Sequence, residues 1–152
     1  MHIPQIQLQA ISMGIPLTRA STTLPATAIV PIFNIVGGRV LMTSLVGEAT
    51  VLWGAVAGNT VLNENPTNGT TTVIGSAIDY SNLPLGATIG ITGLDASAMI
   101  PAATGGIPGF TNQGRVLRVG VIEWQQTGTA VGEMSWALTY IPLDDGAYMT
   151  VA

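Results

Sequence analysis

Apolar residues in this chain fall in short runs, broken at close intervals by glycine, proline, asparagine and aspartate. Punctuation at that spacing belongs to strands rather than helices. Helix-favouring stretches of Ala, Leu, Glu, Lys and Arg are missing, while Gly, Pro, Thr and Val recur throughout. The pattern predicts strands over Ile29–Val36, Arg39–Val46, Ala49–Val56, Thr70–Ile78, Thr88–Thr92, Val116–Trp124 and Met134–Ile141, with a short one at Thr60–Leu62. Short strands with regular turn signals predict an all-β chain, a single β-sandwich or jelly-roll-like domain.

Two junctions carry turn chemistry. Val46-Gly47-Glu48-Ala49, between apolar runs, predicts a hairpin in which Gly47 supplies a positive φ. Asn68-Gly69, flanked by Pro66 and a threonine run, predicts a second turn, of type I′. Gly38-Arg39-Val40-Leu41 recurs as Gly114-Arg115-Val116-Leu117, and in so biased a composition the echo is read as coincidence rather than repeat. The stretch from Leu94 to Asn112, rich in small residues, predicts a long ordered loop with an interaction role.

Residues 1–28 lack a convincing strand-length run and hold Pro4, Pro16 and Pro25. They are read as an extended N-terminal arm, leaving 29–152 as the β-sandwich domain. The scattered apolar residues Ile3, Ile6, Leu8, Ile11 and Leu17 favour an arm laid across a neighbour. Deleting residues 1–18 is therefore expected to abolish partner binding and spare the β-core.

Charge changes the picture most. Only 8% of the 152 residues are charged, against about 25% in an ordinary domain. The four cations are Arg19, Arg39, Arg115 and Arg118; lysine is absent, and eight acids leave a net charge of −4. No basic cluster exists to displace counterions from nucleic acid or to hold an anionic membrane surface. Leu, Ile, Val and Phe make 43 of 152 residues, well above the roughly 20% floor of disordered chains. The two longest uncharged stretches, Ala20–Gly38 and Ala96–Gly114, are broken by prolines and polar residues that a bilayer would not tolerate. The start Met1-His2-Ile3-Pro4-Gln5 has no basic region followed by an apolar run, so synthesis in a cytoplasm is expected.

Candidate chemistry is thin. Cysteine is absent and His2 is the lone histidine, so neither a nucleophile–base pair nor a zinc site can be assembled from the usual groups. Asp144-Asp145-Gly146, two adjacent carboxylates and a glycine, is not an EF-hand calcium loop and reads as a turn. Asn68-Gly69-Thr70 matches a glycosylation acceptor but reads better as the turn. Gly105-Gly106-Ile107-Pro108-Gly109 lacks the Lys and helix of a phosphate loop. The remaining acids suit strand ends and turns better than a glycosidase pair. No catalytic residue, cofactor or metal is therefore expected. Trp53, Trp124 and Trp136, with Tyr80, Tyr140 and Tyr148, could form a sugar-stacking platform, but the tryptophans sit among apolar neighbours and read as core.

A β-domain with few charges and no edge lysines is exposed to edge-to-edge association unless its surface is buried. The composition thus predicts a subunit of a permanent assembly, with Arg19, Arg39 and Arg115 as interface anchors. Most of the eight carboxylates should then face solvent.

Several segments also resemble small structural proteins of tailed-bacteriophage virions. These are Arg19-Ala20-Ser21-Thr22-Thr23-Leu24-Pro25, Val36-Gly37-Gly38-Arg39-Val40-Leu41, Leu45-Val46-Gly47-Glu48-Ala49-Thr50 and Asn65-Pro66-Thr67-Asn68-Gly69-Thr70. Gly90-Ile91-Thr92-Gly93 and the ending Trp136-Ala137-Leu138-Thr139-Tyr140-Ile141-Pro142-Leu143-Asp144-Asp145-Gly146 belong with them. The resemblance spans residues 19 to 146. It implies a capsid decoration or cement protein on the capsid exterior, a homotrimer capping junctions between major capsid proteins. The alternative function is a carbohydrate-binding or tail-fibre-like host-attachment module.

Overall fold

The computed structural model describes residues 14–54, 59–103, 114–128 and 131–152. Every regular element among them is a β-strand: β1 (Ile15–Thr23), β2 (Ala28–Val36), β3 (Val40–Val51), β4 (Asn59–Pro66), β5 (Thr72–Asp79), β6 (Thr88–Gly90), β7 (Ile100–Ala102), β8 (Arg115–Leu117), β9 (Gly120–Gln126), β10 (Glu133–Pro142) and β11 (Tyr148–Val151). They form two antiparallel sheets. The first runs β1-β10-β3-β6-β7, with β8 also on β3; the second runs β11-β2-β9-β4-β5. β1 pairs with β10, β2 with β9, β3 with β6 and β4 with β5. That nesting is the strand arrangement of a jelly roll, a long hairpin rolled into two facing sheets. The all-β sandwich expected from the sequence is the fold observed.

Alternation along the strands sends one set of side chains inward. Phe33 and Ile35 on β2, Met42, Leu45 and Ala49 on β3, Ile122 and Trp124 on β9, and Met134, Trp136, Leu138 and Tyr140 on β10 are all buried. The aromatic residues form a chain through the core. Trp53 stacks on Trp124 with ring centroids 6.1 Å apart, Trp124 meets Trp136 edge to face at 5.5 Å, and Tyr80 meets Trp53 edge to face at 6.0 Å. Burial pushes the Tyr80 phenol pKa well up.

Five expectations need correction. The Gly47 turn does not form: β3 passes straight through it, because Gly47 pairs directly with Trp136 across the ladder. A Cβ on Gly47 would lie 2.8 Å from the Trp136 ring and from Met134 Sδ, so glycine there serves close approach, not reversal. The Asn68-Gly69 turn does join β4 to β5, with Gly69 at φ +141°, but Asn68 is not at positive φ and the turn is not type I′. Within the stretch read as an arm, Ile15–Thr23 is a sheet strand paired with β10, and residues 1–13 lie outside the described residues; Ile15 and Leu17 face the core, and Pro16 is tolerated because β1 is an edge. Deleting residues 1–18 would therefore cut into β1. Finally, the long loop from Leu94 contains β7, and the strand expected over Val116–Trp124 breaks at Arg118-Val119 into β8 and β9. The two Gly-Arg-Val-Leu segments lie side by side, with Val40 opposite Leu117 and Leu41 opposite Val116.

Candidate interaction surface

Up-and-down strands place the connections at two opposite ends of the sandwich, and the two ends differ in chemistry. The β2–β3, β4–β5, β6–β7, β8–β9 and β10–β11 connections meet at one end. On or beside them lie Arg39, Glu64, Asp95, Arg115, Arg118, Asp144 and Asp145, seven of the chain's twelve charged side chains (four arginines and eight acids).

Those charges are largely engaged with one another. The Arg39 guanidinium grips Asp144 in a fork, Nε to Oδ2 at 3.0 Å and Nη2 to Oδ1 at 2.7 Å, while its backbone N–H donates to Oδ2 at 2.7 Å. These hydrogen bonds pull the Asp144 pKa down to about 2 and push that of Arg39 up. Glu64, only 2% exposed on β4, accepts from the Arg118 backbone N–H at 3.1 Å and from Arg118 Nε at 3.4 Å. Arg115 Nη2 lies 3.7 Å from the same carboxylate, and Arg115 Nη1 also pairs with Asp95. Glu64 stands in one sheet and Arg115 on β8 of the other, so this cluster ties the sheets together at their charged end.

The opposite end is assembled from the β1–β2, β3–β4, β5–β6 and β9–β10 connections. Backbone hydrogen bonds lace them: Gly54 N–H to Val131 O at 2.7 Å, Trp53 N–H to Leu83 O at 3.0 Å and Gly86 N–H to Ala49 O at 2.8 Å. This framework presents four large apolar side chains to solvent, Val51 (43% exposed), Leu52 (58%), Leu85 (68%) and Val131 (70%). The acids here, Asp79 and Glu133, are each engaged within the chain. Asp79 accepts from the Ser81 hydroxyl and N–H, which lowers its pKa, and Glu133 accepts from Ser21 at 2.9 Å. Apolar side chains such as Val36, Val119 and Leu143 are exposed at the other end as well, but there they stand among seven charges.

Placement of the residues singled out in the sequence follows from this. Arg39 and Arg115 both meet carboxylates of their own chain at the charged end. Leu17 and Arg19 are half-buried on β1, away from that cluster. Arg19 Nη1 donates to Thr22 Oγ1 at 2.5 Å, its Nε is shielded without an acceptor, and burial lowers its pKa. Ile3, Ile6, Leu8 and Ile11 lie outside the described residues, as does 104–113 of the long loop. Trp53, Trp124 and Trp136 are almost wholly buried and present no face to a sugar.

The sequence reading missed Glu64 and the apolar end. Nothing in Asn63-Glu64-Asn65 marks the glutamate as inward-facing, because its arginines lie more than fifty positions away along the chain. Among the described residues no three His, Asp or Glu side chains come together as a metal site. Comparison with protein-family models, with curated proteins and with solved structures finds no match to this chain.

Proposed function

We propose that this chain is a non-enzymatic virion structural protein of a tailed bacteriophage, a decoration or cement subunit. It binds the outer capsid surface at junctions of major capsid proteins, as a homotrimer, and stabilises the head. The observation that carries the reading is the division of the sandwich into a charged end and an apolar end. Burying Val51, Leu52, Leu85 and Val131 gains the apolar transfer free energy, about 25 cal/mol per Å². The end bearing Arg39, Arg118, Asp144 and Asp145 stays hydrated at little cost. Many copies, each with a modest interface, would reinforce a shell by multivalency.

The jelly-roll arrangement serves both capsid and lectin proteins, so the fold alone does not choose between them. Burial of all three tryptophans favours the structural reading over a carbohydrate-binding attachment module. The motifs quoted above from residues 19 to 146 are the sequence ground for the phage assignment.

The test is to measure the solution mass of the full chain and its co-sedimentation with heads assembled from the major capsid protein of the same phage. The expected results are a trimer of 15.6 kDa subunits and saturable binding. The double variant Leu85→Asp, Val131→Asp should lose binding while keeping its β-sheet circular dichroism. A monomer that leaves heads bare, or specific binding on a glycan array, would overturn the proposal.

A further inference from the structure

β1 is the edge of its sheet. It pairs with β10 on one side, and no backbone hydrogen bond to any other described residue leaves it on the other. The edge carries a single charge, Arg19, at the centre of nine residues. Of the four arginines Arg19 alone has no carboxylate within 4 Å. All eight acidic residues lie among the described positions, and residues 1–13 contain none. No acidic side chain of the chain therefore stands within ion-pair distance of Arg19. Arg19 Nε is shielded from solvent without an acceptor, a cost that an incoming anion would relieve.

We propose that the free edge of β1 accepts, by strand addition, an extended segment of another protein that places a carboxylate against Arg19. Strand addition supplies backbone hydrogen bonds that any sequence can make, and side chains at fixed register supply the choice. A second copy of this chain fits poorly. Full antiparallel overlap of two β1 strands sets Arg19 opposite Arg19, and like charges directly opposite are destabilising. The other edges of the sheets offer no alternative: β11 and β7 have no acid, and the acid of β5 is Asp79 at its last position, already held by Ser81. The partner is thus a different protein with an acid inside an extended segment. This inference does not depend on the capsid reading, which rests on the apolar end.

The test uses the isotope-labelled full chain and three capped nine-residue peptides of alternating Thr and Val with Glu, Gln or Lys at the centre. The Glu peptide should shift the amide resonances of Ile15–Thr23 and bind about tenfold more tightly than the Gln peptide, as charge-assisted hydrogen bonds exceed neutral ones. The Lys peptide should bind more weakly than either. Arg19→Met should equalise the three while the remaining resonances stay in place. Should that variant fail to fold, the peptide series on the unaltered chain decides alone. Equal binding of the Glu and Gln peptides, shifts confined to β5 or β11, or no binding of any peptide would overturn the proposal.

Discussion

Trp136 lies directly across the β3–β10 ladder from Gly47, its indole occupying the space where a side chain on residue 47 would stand. The contact connects the strand that passes straight through the expected turn to the aromatic chain of the core. Gly47→Ala would force a methyl group to within 2.8 Å of the Trp136 ring and of Met134 Sδ. Overpacking of that kind costs about 1–3 kcal/mol. Chemical denaturation should show a lower midpoint with an unchanged slope.

Glu64 is the one buried acid, facing two arginines. Glu64→Gln keeps the volume but removes the charge that both cations meet, and is expected to cost about 1–3 kcal/mol in thermal or urea unfolding. Asp95→Asn, at the exposed side of the same cluster, should change stability by less than about 0.5 kcal/mol.

The Arg39–Asp144 pair sets a pH dependence. Hydrogen bonds from Arg39 hold the folded Asp144 carboxyl near pH 2, below its ordinary 3.8. A depressed acid stabilises the fold while ionised, so this contribution is complete above about pH 4 and fades as pH falls toward 2. Carbon-detected titration should find the Asp144 midpoint near 2. In Arg39→Met it should return to the ordinary carboxylate range, and the stability difference between the two proteins should vanish at the acid limit.

Burial of Trp53, Trp124 and Trp136 predicts blue-shifted fluorescence that iodide does not quench and sugars do not change. Trp124→Ala, at the middle of the aromatic chain, should cost about 3–5 kcal/mol.

These sites also mark how far the sequence could be read. The alternation in Met134–Ile141 and Ile29–Val36 revealed β10 and β2 because one face of each is apolar and meets the core. β1 was hidden by Pro16 and by inward-facing Arg19, features an edge strand can carry and a central one cannot. Glycine at position 47 has two physical uses, positive φ or close approach, and only Trp136, far along the chain, selects between them. The apolar end was invisible because Val51, Leu85 and Val131 look like ordinary core residues until the connections bring them outward together.

The proposed role is decided by cryo-electron microscopy of phage particles purified with this chain. On that proposal the sandwich sits on the outer capsid surface at junctions of major capsid proteins, with Val51, Leu52, Leu85 and Val131 buried against neighbouring subunits and the Arg39–Asp144 pair in solvent. Particles that lack the chain, or that carry it with those four side chains facing solvent, would contradict it.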